Sequence, residues 1–225
     1  MASDRELAVL CEEVYMLDKP VVTIASALGQ KTTWVKRESL KQLGFAYAVY
    51  ESEFVRPPLT APEAVLVFRG TDDWVDVFVD DFSIASLSMP PQAVDAIAVA
   101  QRLQTRYREL VITGHSLGGA LAIIAGAHTN LKVVTFNAPG VLGGCFRSGY
   151  VQLSAGSAGI KRLVSAVKIC ASGHNIRNLK AEGDPVSVFF LPQVGTRESL
   201  TSKCARFNLL CKHQIRTVVD SLPLE

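Results

Sequence analysis

Residues 111–122 read VITGHSLGGALA, with Ser116 midway between Gly114 and Gly118. A serine hydroxyl is a poor nucleophile alone. It needs a base, and the base needs an orienting carboxylate. The spacing G-x-S-x-G serves that chemistry when the serine sits on a sharp turn from a strand into a helix. The residues two before and two after it must then be small, because other backbone approaches them closely. The bare pattern is weak, but its setting is strong. ELVITG (109–114) has the apolar run of a buried strand, and LGGALAIIAGAHT (117–129) is a helix apolar nearly all round. The plainer reading is a tight strand–helix turn without chemistry.

Four histidines could serve as the base: His115, His128, His174 and His213. His115 lies inside the turn, and its side chain should point away from Ser116. His128 ends the apolar helix, where packing explains it. In the fold type that uses this turn, the chain order is serine, acid, histidine. Only His174 and His213 follow the serine, and His213, expected to open a final helix, leaves a good acid between. That acid is Asp184 in AEGDPVS, a turn punctuated by Gly183 and Pro185. Glu182 is its rival but belongs to the strand end, and Asp220 breaks the order. An ordinary turn aspartate is the plainer reading of Asp184.

Acyl transfer also needs donors for an oxyanion, fixed before charge develops. The N–H of Leu117 is one candidate. The loop FRGTDDW (68–74) offers Thr71 as the other. Beyond it, Trp74, Phe78 and Phe82 recur every four residues, as do Asp72, Asp76 and Asp80. As a helix, that stretch carries an aromatic and an acidic stripe on nearly opposite faces. It reads either as a lid or acyl-site wall, or as a surface helix with its apolar side in the core.

Elements must bring these residues together. A first helix is expected from about Asp4 to Met16, with Ser3 and Glu6 as a capping box. Strands are expected at 44–54, 63–70, 109–114 and 132–140, and a strand then a turn over 175–189. VRPPLTAP (55–62) is a loop. Helical spacing marks 90–107, 117–129 and 159–171. Strands alternating with helices predict an α/β fold with a mostly parallel central sheet, helices on both faces and sites at the carboxyl ends of its strands. FRGT, TGHSLGG and AEGDP should share that edge. The 225 residues suit a single domain spanning 1–225.

Composition narrows the function. With 48 % hydrophobic and 20 % charged residues, the chain can bury a sizeable core. A net charge of +2 and the lack of a basic stripe with interleaved aromatics argue against nucleic-acid binding. The five cysteines form no C-x-x-C pair, so neither a zinc site nor a redox motif is indicated. Free thiols in a reducing compartment are expected, with pairing of Cys204 and Cys211 left open. MASDRELAVLCEEVYM is not a standard secretory signal, and no membrane span is expected. The expected location is the cytoplasm, or outside the cell after export without a cleaved signal.

The motifs VFRGTDDW, ITGHSLGGALA, VVTFNAPG, GDPV and a late KHQI occur in the order and approximate spacing of the class 3 lipase family, which this sequence resembles over about residues 63 to 213. The resemblance implies an α/β-hydrolase fold, Ser116 as nucleophile, Asp184 and His213 as its partners, and Thr71 with Leu117 as oxyanion hole. It implies cleavage of carboxylic esters, with acyl lipids or small acyl esters as substrates, no metal and no organic cofactor. Transient contact with a membrane surface fits such substrates, and no protein partner is indicated. The chain is more compact than members with a mobile lid. Acyl transfer to another acceptor and a non-catalytic ligand-binding role are the alternatives. An ester hydrolase delivered into other cells would look the same in sequence as a housekeeping esterase.

Overall fold

Alternate residues of the central strands divide between two cores, and this division makes the layers. In β4 (Glu63–Phe68), Ala64, Leu66 and Phe68 face one core while Val65 and Val67 face the other. β5 (Glu109–His115) repeats the pattern, with Leu110 and Ile112 opposite Val111. Strands apolar on both faces must be covered on both. One cover is α2 (Ala93–Arg106) with α3 (Leu117–Thr129), and the other is α1 (Asp4–Glu13) with α6 (Ile215–Ser221). The computed structural model describes all residues except 17, 27–28, 43, 71–91, 142–167, 169, 172, 190–192, 206–207 and 225.

Among the described residues the sheet has eight strands in sequence order. The first three are β1 (Val21–Ala25), β2 (Lys31–Gln42) and β3 (Phe45–Ser52). With β4 they form an antiparallel run. From β4 onward every pairing is parallel, through β5, β6 (Lys132–Phe136), β7 (Ile176–Ala181) and β8 (Thr196–Leu200). The carboxyl ends of β4, β5 and β7 therefore share an edge, as expected. Two further helices among the described residues are α4 (Pro185–Phe189) and α5 (Leu209–His213), both beside that edge. Among the described residues, no helix is long and apolar enough to cross a membrane.

Several expectations change. The first helix stops at Glu13, and Val14–Met16 continue only as a turn. Its capping box is present: Ser3 Oγ accepts from the Glu6 N–H at 3.2 Å, and Glu6 Oε2 accepts from the Ser3 N–H at 2.8 Å. The stretch expected as strand 132–140 leaves the sheet after Phe136, where Asn137 turns left-handed with φ 48°. His213 closes α5 rather than opening a helix, and α6 begins two residues later. Glu182 lies past the end of β7, exposed in the turn. The expected helix at 159–171 falls almost wholly outside the described residues. The expectation of free thiols fails for two cysteines, since Cys204 and Cys211 form a disulfide across seven residues. Cys11 and Cys170 are free.

A buried ion cluster ties the N-terminus to the sheet. Arg56 donates to Glu6 and to Glu63, each at 2.9 Å, and both carboxylates are largely withdrawn from solvent. Burial alone would raise the Glu6 pKa. The Arg56 guanidinium and the Ser3 N–H outweigh it and hold the carboxyl below its ordinary value. A carboxyl held low in the folded state stabilises above its unfolded pKa, near 4.5, and loses that contribution as pH falls through the folded value. Arg56→Ala should destabilise the protein by about 3 kcal/mol at neutral pH, because it strands buried carboxylates. Urea denaturation should show the gap between variant and wild type narrowing toward acid pH, as the Glu6 carboxylate protonates and no longer needs the guanidinium.

Candidate active site

Strand β5 runs into helix α3 through one residue. Ser116 has φ 56° and ψ −128°, a backbone conformation that residues other than glycine rarely hold. The turn is bonded on both sides. The Ser116 N–H donates to Phe136 O on β6 at 3.0 Å, and its carbonyl accepts from Gly119 at 2.9 Å and Ala120 at 3.2 Å. The flanking glycines are required by space. A methyl at Gly114 would overlap the Gly118 carbonyl, and one at Gly118 would overlap the Phe68 carbonyl at the end of β4. The sharp turn expected from G-x-S-x-G is therefore a steric necessity of three adjoining strands and a helix.

The Ser116 hydroxyl lies 2.9 Å from His213 Nε2, and His213 Nδ1 lies 2.7 Å from Asp184 Oδ1. His213 and Asp184 are fully buried and Ser116 is 4 % exposed. A carboxylate can only accept, so Nδ1 carries the imidazole proton and Nε2 is left to accept from the serine. Asp184 arrives on the turn after β7, where Gly183 takes φ 75° and the Asp184 N–H closes onto Ala181 O at 3.0 Å. Its second oxygen accepts the Ser187 N–H at 2.7 Å, which fixes the carboxylate plane. Of the four histidines, the structure brings only His213 to the serine's hydroxyl. His128 bonds Ile124 O within its own helix, and His174 bonds Ala171 O at the surface.

Leu117 opens α3, so its N–H belongs to the first turn, where helical acceptors are lacking. A cavity of about 360 Å³ adjoins it, walled by Phe45, Arg69, Gly70, Gln92 and Leu121. Thr71, Trp74, Phe78 and Phe82 lie outside the described residues. His115 bonds elsewhere than the serine: its Nε2 lies on the main-chain oxygen of His213 at 2.6 Å, and its ring centroid is 4.9 Å from that of His213. The sequence alone assigned no part to Tyr15 or Asn137, yet Tyr15 meets His115 and Asn137 bonds the same His213 oxygen. Both residue types are ordinary in their own segments, so no local signal marks them.

A parallel sheet that turns through a left-handed serine into a buried helix, with imidazole and carboxylate in line behind the hydroxyl, defines the α/β-hydrolase fold. Within that class, the chain belongs to the Tle-like phospholipase domain family, which it matches over residues 6–188. The resemblance to class 3 lipases stands with that match. The chain is 32 % identical over 144 residues to the extracellular phospholipase A1 of Serratia liquefaciens, covering 61 % of this chain and 42 % of that protein. It thus spans less than half the length of that relative. The native Rhizomucor miehei lipase propeptide complex aligns with 98 % of this chain and 80 % of its own, at 15 % identity and a TM-score of 0.49. A deletion mutant of that complex aligns with 89 % of this chain and 68 % of its own, at 16 % identity and the same score.

The glycine contacts give a direct test of the turn. Gly118→Ala should destabilise the protein by about 2 kcal/mol or more, since the added methyl meets main chain that cannot move aside. A chemical denaturation midpoint that does not fall would contradict this.

Proposed function

We propose that this chain is a serine hydrolase that cleaves carboxylic esters of acyl lipids, phospholipids foremost, through an acyl-enzyme. The observation that carries the reading is the continuous hydrogen-bonded chain from Ser116 through His213 to Asp184. The family match and the printed activity of the Serratia relative support a phospholipid as substrate.

In this reading Ser116 Oγ attacks the acyl carbonyl carbon as its proton passes to His213 Nε2. The N–H of Leu117 holds the oxyanion, with Thr71 as the second donor. The bond to the leaving alcohol breaks, and His213 returns the proton to that oxygen. Water then gives a proton to His213 and attacks the acyl-serine, releasing a fatty acid and restoring the hydroxyl. Asp184 keeps the proton on Nδ1 and stabilises the imidazolium formed in each half. No metal or organic cofactor enters these steps. Trp74, Phe78 and Phe82 serve as the lid or acyl-site wall.

Contact with a lipid surface is part of the proposal. Leu209 and Leu210 support it: both are about half exposed on the short helix that ends in His213. The Cys204–Cys211 bridge supports a working place outside a reducing cytosol.

The test compares wild type with Ser116→Ala on p-nitrophenyl esters from acetyl to palmitoyl and on phosphatidylcholine vesicles. Loss of the nucleophile should reduce turnover by about 10³-fold or more. Fatty acid and lysolipid should appear together in the wild-type vesicle reaction. A Ser116→Ala variant as fast as wild type would remove the assignment. Wild-type release of water-derived acid, rather than acyl product on an added alcohol, separates hydrolysis from transfer.

A further inference from the structure

His115 is a buried titratable side chain that the proposed ester chemistry does not use. Its Nε2 sits 2.6 Å from the main-chain oxygen of His213. A carbonyl only accepts, so that nitrogen carries the proton. Burial, then the neighbouring His213, push the His115 pKa down to about 3, and the ring stays neutral at ordinary pH. Nδ1 is then a lone pair, and the Tyr15 hydroxyl, 3.2 Å away, donates to it. The same His213 oxygen accepts from Asn137 Nδ2 at 3.1 Å, and that amide also donates to Lys212 O at 3.0 Å. Asn137 Oδ1 in turn accepts the Ala181 N–H at 2.8 Å, at the base of the turn that carries Asp184.

His213 needs such support. It ends a five-residue helix and is followed at once by extended Gln214, so local backbone structure does little to fix it. Its ring must nevertheless keep two hydrogen bonds at once, to Ser116 and to Asp184. Both anchors on its carbonyl come from the ends of parallel strands: His115 closes β5, and Asn137 follows β6.

We propose that His115 and Asn137 are positioning residues, which clamp the main-chain carbonyl of His213 so that its imidazole stays aligned between Ser116 and Asp184, with Tyr15 fixing the tautomer of His115. This rests on the serine-hydrolase reading above. A histidine that merely fills the core would matter for folding but not for turnover of the folded protein.

The test uses His115→Leu, His115→Gln, Tyr15→Phe and Ser116→Ala, assayed on a soluble short-chain p-nitrophenyl ester, with circular dichroism to establish folding. His115→Leu should lower kcat about 10- to 100-fold with little change in KM, as expected for a base displaced by a fraction of an ångström. The rate of Ser116 phosphonylation by a fluorophosphonate should fall in parallel. In His115→Gln, the amide nitrogen can reach the place of Nε2, and most of the lost kcat should return. A folded His115→Leu with wild-type kcat overturns the proposal, as does a His115→Gln variant as slow as the leucine one. If His115→Leu does not fold, Tyr15→Phe decides: a severalfold fall in kcat at constant KM is expected, and an unchanged kcat overturns the clamp. A Ser116→Ala variant that stays active would instead fail the serine-hydrolase reading itself.

Discussion

The backbone of Ser116 is held where few serines go, and the rest of the site depends on its staying there. A left-handed or neighbouring conformation at a non-glycine residue costs of order 1–3 kcal/mol and persists only where its surroundings over-determine it. Here they do. β6 accepts the Ser116 N–H, the first turn of α3 returns two N–H bonds to the Ser116 carbonyl, and β4 closes on Gly118. The contacts with β6 and β4 require parallel strands in the register observed, with Phe68 beside Gly114 and His115 beside Phe136. The sheet thus dictates the turn, and the turn aims the hydroxyl.

The other two members of the chain answer a different constraint. Burying a carboxylate beside an imidazole is unfavourable unless each polar atom finds a partner. Both oxygens of Asp184 find one, since Oδ2 takes the Ser187 N–H and Oδ1 faces His213. His213 engages through both ring nitrogens and through its main-chain oxygen. The result is a polar network packed among buried strand ends. Satisfied in this way, such a network is rigid, and that rigidity keeps the donor and acceptor roles of the imidazole fixed.

What could be read in the sequence follows from how local each demand is. The strand–serine–helix turn is contiguous, and its glycines answer to backbone contacts, so Ser116 and the elements on either side of it were legible. Chain order and turn chemistry single out Asp184 and His213, and the structure places His213 against the serine and Asp184 against His213, though His213 sits at a helix end and not at a helix start. β2 was not legible. KTTWVKRESLKQ keeps only Trp34 buried, so no alternation of apolar residues marks it. Its place comes from pairing along its length with β3 and from ion pairs such as Arg37–Glu51 across to that strand. β8, TRESL, unlike β2, is an edge strand of the sheet; it has almost no burial, and no apolar alternation marks it either. Polar edge strands resist pairing with other chains, which is why they resemble loops in sequence.

The support around His213 was illegible on other grounds. Tyr15 reaches His115 across 100 residues of sequence, and Asn137 reaches His213 across 76. Neither residue type is unusual in its own segment. Tyr15 follows a helix end and Asn137 a strand end, where both are commonplace. Only the stacking of α1 against the sheet beside β5 makes the first contact, and only the left-handed φ of Asn137 turns its amide toward the histidine turn. A motif reports what a reacting atom requires of its immediate backbone. The groups that hold the histidine in line are set by tertiary packing, and they become visible only when the strands are laid side by side.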